Sequence, residues 1–307
     1  MTIGVVVIGL GQIAIGYDHN SSQKVLEKFD SLSTAFSHNP KFQLIAGVDP
    51  DESARKRFMQ ALNIPTFSSI DKIPTELIGM STAFVISGPT QEHLSILHSI
   101  VKLKKNPWIL CEKPMGGSLH DVNTFEQVMD TSRILVNYSR RFSGDIEECG
   151  NEFKSIMKQE INSIPLVKCE VYGGDLRTGS HFIDLCSHWF GMNHKRVERQ
   201  NFIKSSADGP VLSFDTADVL YVDVDSGSEE SYASLTYENR ENLVSLVRGQ
   251  LTVMNSSGKK IMNVVVDQAD TVAAFFEMID SSGRKNRCTF QDSKRVHQII
   301  DSLQGFK

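Results

Sequence analysis

The stretch Ile3–Ala14, IGVVVIGLGQIA, decides the fold of this chain. Its first half is a β-branched apolar run, which is typical of a buried strand. The run breaks at Gly9, and Gly9–Ala14 follow the pattern G-x-G-x-x-A between a strand and a helix start. In this pattern the first glycine permits a tight turn, the second lets a pyrophosphate approach the backbone, and the alanine keeps the helix close to the sheet. The stretch therefore predicts a dinucleotide-binding unit built on a parallel sheet.

An acidic residue is expected at the end of the second strand, where it hydrogen-bonds the adenosine ribose and repels a 2′-phosphate. The apolar run Phe42–Val48 predicts that strand, and Asp49 follows it. Asp49 lies about 40 residues after the glycine pattern, where the motif expects about 20, so the polar segment between them must loop out. NAD is therefore the predicted cofactor, with NADP possible if Arg55 or Lys56 accommodates a 2′-phosphate. The alternative is that Asp49 only caps the helix that follows it.

A second candidate site lies at the end of the apolar run Trp108–Cys111, which is followed by Glu112, Lys113 and Pro114. Proline has no backbone N–H and biases the preceding residue toward an extended conformation, so the strand should end at Lys113. Ligands of open α/β sheets bind at the carboxyl ends of the strands. Lysine can hydrogen-bond a ligand hydroxyl there and favour its ionised form. The alternative is an ion pair of Glu112 and Lys113 at the surface.

Two further strands should end at the same edge of the sheet. Thr82–Ser87 precedes Gly88, Pro89 and a helix that carries His93 in its first turn, and Ile134–Tyr138 precedes Arg141. His93 is predicted to lie near the cofactor, although packing or capping is the alternative role. The alternation of strands and helices up to this point predicts one doubly wound domain over residues 1–142.

The pattern changes after about residue 143. Strand-like segments with alternating polarity and glycine-containing turns predict a C-terminal domain over residues 143–307, with a large, mostly antiparallel open sheet flanked by helices. This domain should bind the substrate and support oligomerisation. The exposed face of such a sheet commonly forms a subunit interface, so a homodimer or homotetramer through this sheet is expected.

A helix predicted over His181–Phe190 presents His181, Asp184 and His188 on one face, because residues three or four apart are neighbours on a helix. Three interpretations compete. The three side chains could bind a metal, although zinc ligands usually come from more than one element. His181 could be a buried histidine satisfied by Asp184. We favour a catalytic histidine that works as a general acid or base near neutral pH.

Composition limits the remaining classes of function. The chain has 307 residues, 40% of them apolar, and a net charge of −5, without a large basic cluster. Neither nucleic acid nor a membrane is therefore expected as a partner. The five cysteines are odd in number and form no CxxC pair, which argues against a zinc ribbon or a disulfide framework and favours a reducing cytoplasm.

Together these motifs resemble the Gfo/Idh/MocA family of NAD(P)-dependent oxidoreductases. The resemblance rests on a set of short matches spread over nearly the whole chain: Gly9-x-Gly11-x-x-Ala14, Asp49-Pro50, Pro89 with His93, Glu112-Lys113-Pro114, Arg141, and Gly179–Asp184 with Phe190-Gly191. It implies a dehydrogenase or reductase acting on a secondary alcohol or ketone of a sugar, cyclitol or nucleotide-linked sugar. The alternative is a sensor or regulator of the same fold that binds dinucleotide without catalysis.

The resemblance also implies the roles of individual residues. Lys113 and His181 would be catalytic, with His181 taking the alcohol proton and Lys113 hydrogen-bonding the developing alkoxide. No metal is expected. The substrate contacts assigned are Asp184, Arg177, Tyr138 and Arg141, and the cofactor contacts are Gly9, Gly11, Gln12, Ile13, Asp49, Ser87, Pro89, His93, Glu112 and Lys113.

Arg177 is a departure from the family, which often has an aspartate four residues before the histidine. An arginine cannot act as a base there, but it would attract a carboxylate or phosphate of the substrate. Alternatively, Asp184 and His188 take the aspartate and histidine roles.

Overall fold

A computed structural model describes residues 2–19, 28–158, 164–172, 178–191, 203–206, 209–224, 232–239, 242–280 and 288–304. The chain divides into two compact units. The N-terminal unit comprises residues 1–139 together with 267–294, and the C-terminal unit comprises residues 140–266 together with 295–307. Residues 267–294 thus belong to the N-terminal unit. The predicted division, with a single boundary after residue 142, places them in the C-terminal domain instead.

The N-terminal unit contains, among its described residues, a six-stranded sheet in which all strands are parallel. Its order is β3-β2-β1-β4-β5-β6, the order of a doubly wound dinucleotide-binding fold. The fold predicted for this part of the chain is confirmed. The strands are β1 (Ile3–Ile8), β2 (Phe42–Val48), β3 (Thr66–Phe67), β4 (Thr82–Ile86), β5 (Trp108–Glu112) and β6 (Ile134–Asn137).

The helices of this unit follow the strands as predicted, with small shifts at their ends. They are α1 (Tyr17–His19), α2 (Leu32–His38), α3 (Glu52–Leu62), α4 (His93–Leu103) and α5 (Leu119–Val128). The helix predicted over residues 23–36 lies partly outside the described residues. Asp51 caps α3 by accepting a hydrogen bond from the Ser53 N–H, so the alternative role of Asp49 as that cap is wrong.

The returning segment supplies α8 (Gln268–Ile279) to the N-terminal unit. Asp267 caps this helix, and its carboxylate also accepts the N–H of Phe29 at 3.1 Å. Phe275 stacks on Phe42 of β2, with ring centroids 6.1 Å apart. Aromatic packing against β2 therefore holds α8 in this unit.

The C-terminal unit contains an eight-stranded sheet in its described part, with the order β14-β13-β12-β11-β7-β10-β9-β8. The β7–β10 pair is parallel and the other pairs are antiparallel, as the prediction of a mostly antiparallel sheet requires. The strands are β7 (Leu166–Tyr172), β8 (Ile203–Ser206), β9 (Gly209–Ser213), β10 (Asp218–Val224), β11 (Tyr232–Glu238), β12 (Leu243–Val247), β13 (Gln250–Asn255) and β14 (Gly258–Asn263).

The helices α6 (Gly144–Met157) and α7 (Ser180–Phe190) belong to this unit, and α9 (Phe290–Gln304) begins in the first unit and continues in the second. Alternate residues of β7, namely Val167, Cys169 and Val171, are fully buried, whereas Leu166 is 51% exposed. One face of the sheet is therefore covered and the other is open to solvent. Gly191 ends α7 with a positive φ of 75°, the predicted glycine stop.

Candidate functional site

The glycine turn after β1 has two glycines with different tasks. Gly9 has a φ of 90°, and a Cβ there would lie 2.3 Å from the backbone nitrogen of Gly88, so no other residue fits without a shift of the backbone. Gly11 is exposed, and a Cβ there would meet no described atom within 4 Å. Gly9 is required by the fold of the chain, whereas Gly11 leaves open space beside the turn.

The helical segment after the turn begins as a π-helix over Gln12–Gly16, in which the N–H groups of Ile15 and Gly16 both donate to the Gly11 carbonyl, at 3.2 and 3.3 Å. Gln12 is exposed, Ile13 is half-buried and Ala14 is fully buried against the sheet. The first amides of a helix lack intrahelical acceptors and attract anions. The segment therefore fits a pyrophosphate, as the sequence pattern predicts.

Asp49 is tied directly to the glycine turn. One carboxylate oxygen, Oδ2, accepts the Leu10 N–H at 2.7 Å, and Oδ1 accepts the Asp51 N–H at 2.8 Å. An ionised carboxylate has about four acceptor sites, so this half-buried side chain retains capacity for ribose hydroxyls. The glycine turn and Asp49 are therefore joined directly by a hydrogen bond, although a long segment separates them in the sequence.

Three basic residues follow Asp49, and each is engaged within the protein. Arg55 donates to the carbonyls of Asp49 and Pro50, at 2.7 and 2.8 Å. Lys56 pairs with Glu52 at 2.6 Å on the exposed side of α3. Arg57 donates to the Leu10 carbonyl at 3.1 Å. Because Arg55 and Lys56 already have partners, their ability to hold a 2′-phosphate is reduced.

The end of β4 is bonded to both neighbouring loops. Ser87 is buried and donates from Oγ to the Gly9 carbonyl at 2.8 Å. Pro89 is exposed and precedes the first turn before α4. His93 is buried, with Nε2 at 3.0 Å from the Gly88 carbonyl and Nδ1 at 3.2 Å from the Met115 carbonyl. Burial lowers the pKa of His93. A neutral ring can donate to only one of these two carbonyls.

The end of β5 places Glu112 and Lys113 side by side with different surroundings. Glu112 is 8% exposed, and burial raises its pKa to about 7. Lys113 is half-buried and joined to Pro114 by a cis peptide bond. The carboxyl group of Glu112 is therefore buried inside the N-terminal unit. The alternative of an ion pair between Glu112 and Lys113 at the surface is wrong.

In the C-terminal unit, His181 is the second residue of α7 and is half-buried. Asp184, one turn further along, is fully buried and accepts a hydrogen bond at 2.7 Å from Nε of Arg141, whose side chain is 4% exposed. The two predicted substrate contacts Asp184 and Arg141 thus form a buried ion pair. His188 bonds Glu147 at 3.1 Å at the surface.

Arg140 is a candidate ligand-binding residue that is not among the residues predicted from the sequence. Its guanidinium lies over the ring of Phe182, 5.4 Å from the centroid, and burial lowers its pKa to about 10. Within the described ranges it has no carboxylate partner. Arg140 is half-buried, and a cation beside the start of α7 can attract an anionic group of a ligand. Only its place next to Arg141 in the sequence signals this role.

Two of the predicted substrate contacts are not part of the arrangement described above. Tyr138 is fully buried at the end of β6, and Arg177 lies outside the described residues. Among the residues that the structure describes, no group of three or more histidine, cysteine, aspartate or glutamate side chains is arranged to hold a metal ion. The same part of the chain contains no helix with the length and hydropathy needed to cross a bilayer.

Residues 3–137 match the model of the Gfo/Idh/MocA family, described as an oxidoreductase family with an NAD-binding Rossmann fold. The predicted resemblance is confirmed over these residues, and the N-terminal unit is a Rossmann domain of this NAD-binding type. The glycine turn and Asp49 described above fit that cofactor class.

One curated relative is glucose-6-phosphate 3-dehydrogenase of Bacillus subtilis (strain 168), which is 26% identical over 137 residues. This match covers 44% of the chain but only 37% of the relative.

Among solved structures, an oxidoreductase from Agrobacterium radiobacter in complex with NAD⁺, L-tartaric acid and magnesium has a TM-score of 0.69 at 13% identity, over 100% of this chain and 98% of that one. A 3-ketoreductase from Actinomadura kijaniata in complex with NADP has a TM-score of 0.71 at 13% identity, over 99% and 97%. These likenesses show that both units have the same fold as these proteins.

Proposed function

We propose that the chain is an NAD(P)-dependent dehydrogenase that transfers hydride between nicotinamide and a secondary alcohol or ketone of a sugar, cyclitol or nucleotide-linked sugar. The observation that carries the proposal is the glycine turn bonded to Asp49 within a domain that matches an NAD-binding oxidoreductase family. The activities named for the similar dehydrogenase and ketoreductase support the substrate class.

The proposed cofactor contacts follow the geometry of the N-terminal unit. Gly11 leaves open space beside the turn, the amides of Gln12 and Ile13 follow it at the start of the helical segment, and Asp49 offers acceptors to ribose hydroxyls. We propose NAD as the preferred cofactor, because Asp49 repels a 2′-phosphate and Arg55 and Lys56 are engaged elsewhere. Bound cofactor would supply the hydride acceptor or donor at its nicotinamide ring.

The proposed chemistry of the protein is proton transfer and charge stabilisation. His181 takes the proton of the substrate alcohol as general base, since an imidazole can do so near neutral pH. The Lys113 ammonium donates a hydrogen bond to a substrate oxygen and stabilises negative charge on it. Asp184, held by Arg141, fixes the first turns of α7, on which His181 stands.

The charge of Arg140 favours a substrate that carries an anionic group, such as a phosphate or carboxylate. Its guanidinium lacks a carboxylate partner in the described part of the C-terminal unit, where Arg141 already holds Asp184. Sugar phosphates, uronic acids and nucleotide-linked sugars meet this requirement.

We also propose a homodimer or homotetramer through the open face of the C-terminal sheet, in a reducing cytoplasm. The strand register places a set of half-buried or exposed apolar side chains on that face: Leu166, Leu220, Val222, Leu243, Val247 and Met254. The same face carries the ion pair of Lys168 and Glu170. A surface with exposed apolar side chains among charged ones fits a second copy of the chain. All five cysteines are buried and in the reduced form, as expected in reducing surroundings.

The test is turnover of a panel of polyols, sugar phosphates, uronic acids and nucleotide-linked sugars with NAD⁺ and NADP⁺, followed by the absorbance of reduced nicotinamide. We expect turnover with one class, and a loss of about 100-fold or more in kcat in Lys113→Ala and in His181→Ala, with cofactor binding retained. Cofactor binding without turnover of any class would contradict the enzyme and support the sensor.

A further inference from the structure

A buried polar cluster in the N-terminal unit surrounds the side chain of Glu112. Asn137, at the end of β6, donates from Nδ2 to Oε1 of Glu112 at 2.5 Å and to Oε1 of Gln268 at 3.0 Å. Thr271 donates from its hydroxyl to Oδ1 of Asn137 at 2.9 Å. These four residues, which we name the Glu112 cluster, are each at most 8% exposed.

The Glu112 cluster fixes the carboxyl group from two elements. Asn137 stands on the strand next to β5, and Gln268 and Thr271 stand on the first turn of α8. The Thr271 hydroxyl occupies the oxygen of the Asn137 amide, so the amide nitrogen faces Glu112. A carboxylate can only accept, and the donor presented to it therefore suits its ionised form.

The second carboxylate oxygen of Glu112 faces the chain of Lys113. Oε2 accepts the backbone N–H of Lys113 at 3.3 Å. The titratable groups that face Glu112 are the Lys113 ammonium, which lowers its pKa, and the neutral thiol of Cys111; the neighbours from β6 and α8 are neutral amides and a hydroxyl. Burial outweighs the cation and the hydrogen bonds, and places the pKa of Glu112 at about 7.

We propose that Glu112 is a positioning residue for Lys113, holding the backbone of Lys113 by its N–H and keeping the side chain in its ammonium form by its negative charge. The proposal rests on the proposed function, in which that ammonium hydrogen-bonds the substrate oxygen. Asn137, Gln268 and Thr271 act through Glu112, since they orient its carboxyl group. Gln268 and Thr271, which belong to the segment 267–294, thereby help to position the Glu112 carboxyl group beside Lys113.

A change in protonation of Glu112 changes the charge beside Lys113. With Glu112 ionised, the pair of side chains is neutral overall, and an adjacent opposite charge favours the ammonium. With Glu112 protonated, that support is lost and the Lys113 amine gives up its proton more easily. The influence of Glu112 on Lys113 should therefore increase as the pH rises through about 7.

The test is the rate at which an amine-acylating reagent modifies Lys113 in the protein without cofactor, followed by mass spectrometry across the pH range. We expect Glu112→Gln to react at Lys113 at least about threefold faster than the wild type at about pH 8, and the ratio to approach one at about pH 6. Glu76→Gln removes an exposed carboxylate of the same unit and should react like the wild type.

Thr271→Val provides a second variant if Glu112→Gln does not fold. It removes only the hydroxyl that orients Asn137, and we expect a smaller increase with the same pH dependence. Equal rates in the wild type and both variants, or a ratio that does not change with pH, would overturn the proposal. The labelling needs no turnover, so failure to find a substrate would count against the proposed function and not against this result.

Discussion

At the scale of single residues, the pair of Arg141 and Asp184 is the most deeply buried ion pair described in the C-terminal unit. Both side chains are at most 4% exposed, and the two atoms are 2.7 Å apart. Removing one partner of a buried pair leaves an uncompensated charge, which costs more than the pair contributes. The pair therefore constrains the beginning of α7 strongly.

We predict that Arg141→Met lowers the free energy of unfolding by about 3 to 5 kcal/mol, because it leaves the Asp184 carboxylate buried without this cation. Lys56→Met breaks an exposed pair with Glu52 and should leave the free energy of unfolding nearly unchanged. Urea denaturation compares the two. A loss in Arg141→Met as small as that in Lys56→Met would contradict the prediction.

Glu112 gives a second prediction, on the pH dependence of stability. Its pKa in the folded chain, about 7, lies above the ordinary value of 4.5, so the folded state binds the proton more tightly than the unfolded state. This contribution is fully present below about pH 4.5 and is lost as the pH rises through about 7. It amounts to at most about 3.4 kcal/mol.

Equilibrium unfolding of the wild type and Glu112→Gln at several pH values checks this contribution. The glutamine variant lacks the titrating group, so its stability relative to the wild type should increase as the pH rises from about 5 to about 8. A difference that stays constant over this range would show that Glu112 keeps an ordinary pKa.

Lys113, His181 and Glu112 could be predicted from the sequence, since each lies in a recognisable motif. The residues that surround them in the folded chain could not be predicted. Asn137 and Thr271 are 134 residues apart in the chain and meet only after folding. Likewise, Asp184 accepts a hydrogen bond from Arg141, 43 residues away in the chain. Such contacts leave no periodicity or spacing in the sequence.

At the scale of elements, the glycine turn allows a matched pair of variants. We predict that Gly9→Ala destabilises the chain by about 1 to 3 kcal/mol, because φ is positive there and the Cβ would meet the Gly88 backbone. Gly11→Ala should leave the thermal midpoint nearly unchanged, since its Cβ enters open space, but should weaken NADH binding about tenfold or more.

Thermal unfolding and NADH fluorescence titration separate these two effects. Loss of stability in Gly11→Ala would show that the space beside it is filled by the protein, and undiminished NADH affinity would show that no pyrophosphate approaches there.

The predicted elements that are most accurate are those with continuous apolar runs. The predictions for β1 and β2 agree with the structure at both ends, because their buried positions carry an unambiguous pattern. The last strand of the C-terminal sheet, β14, is mostly polar and exposed, and its position at Gly258–Asn263 follows from its pairing with β13 across a tight turn. β8 and β9 were not predicted, because neither carries a long apolar alternation.

At the scale of the whole molecule, the two-part fold could be predicted from the change of pattern after residue 142. The return of residues 267–294 to the N-terminal unit could not. The pattern of α8 is that of any amphipathic helix, and nothing in its sequence specifies which core it covers. The structure shows that Phe275 packs on Phe42, a contact between distant parts of the chain.

We predict that Met254→Arg shifts the purified protein from an oligomer toward the monomer, because Met254 is 43% exposed on the open face of the C-terminal sheet. A charge in an apolar subunit interface is desolvated on assembly and opposes it. Met80→Arg makes the same change at a side chain that is 96% exposed in the N-terminal unit, and should leave the mass unchanged. Light scattering gives both masses, and a monomeric wild type would contradict the proposed assembly.

The most direct test of the central claim, that the N-terminal unit binds NAD through the glycine turn and Asp49, is titration of the purified chain with NADH and NADPH by nicotinamide fluorescence. We predict saturable binding of both, with NADH bound about tenfold or more tightly, because Asp49 repels a 2′-phosphate. Tighter binding of NADPH would contradict the role given to Asp49. Absence of saturable binding by either dinucleotide would contradict the whole account.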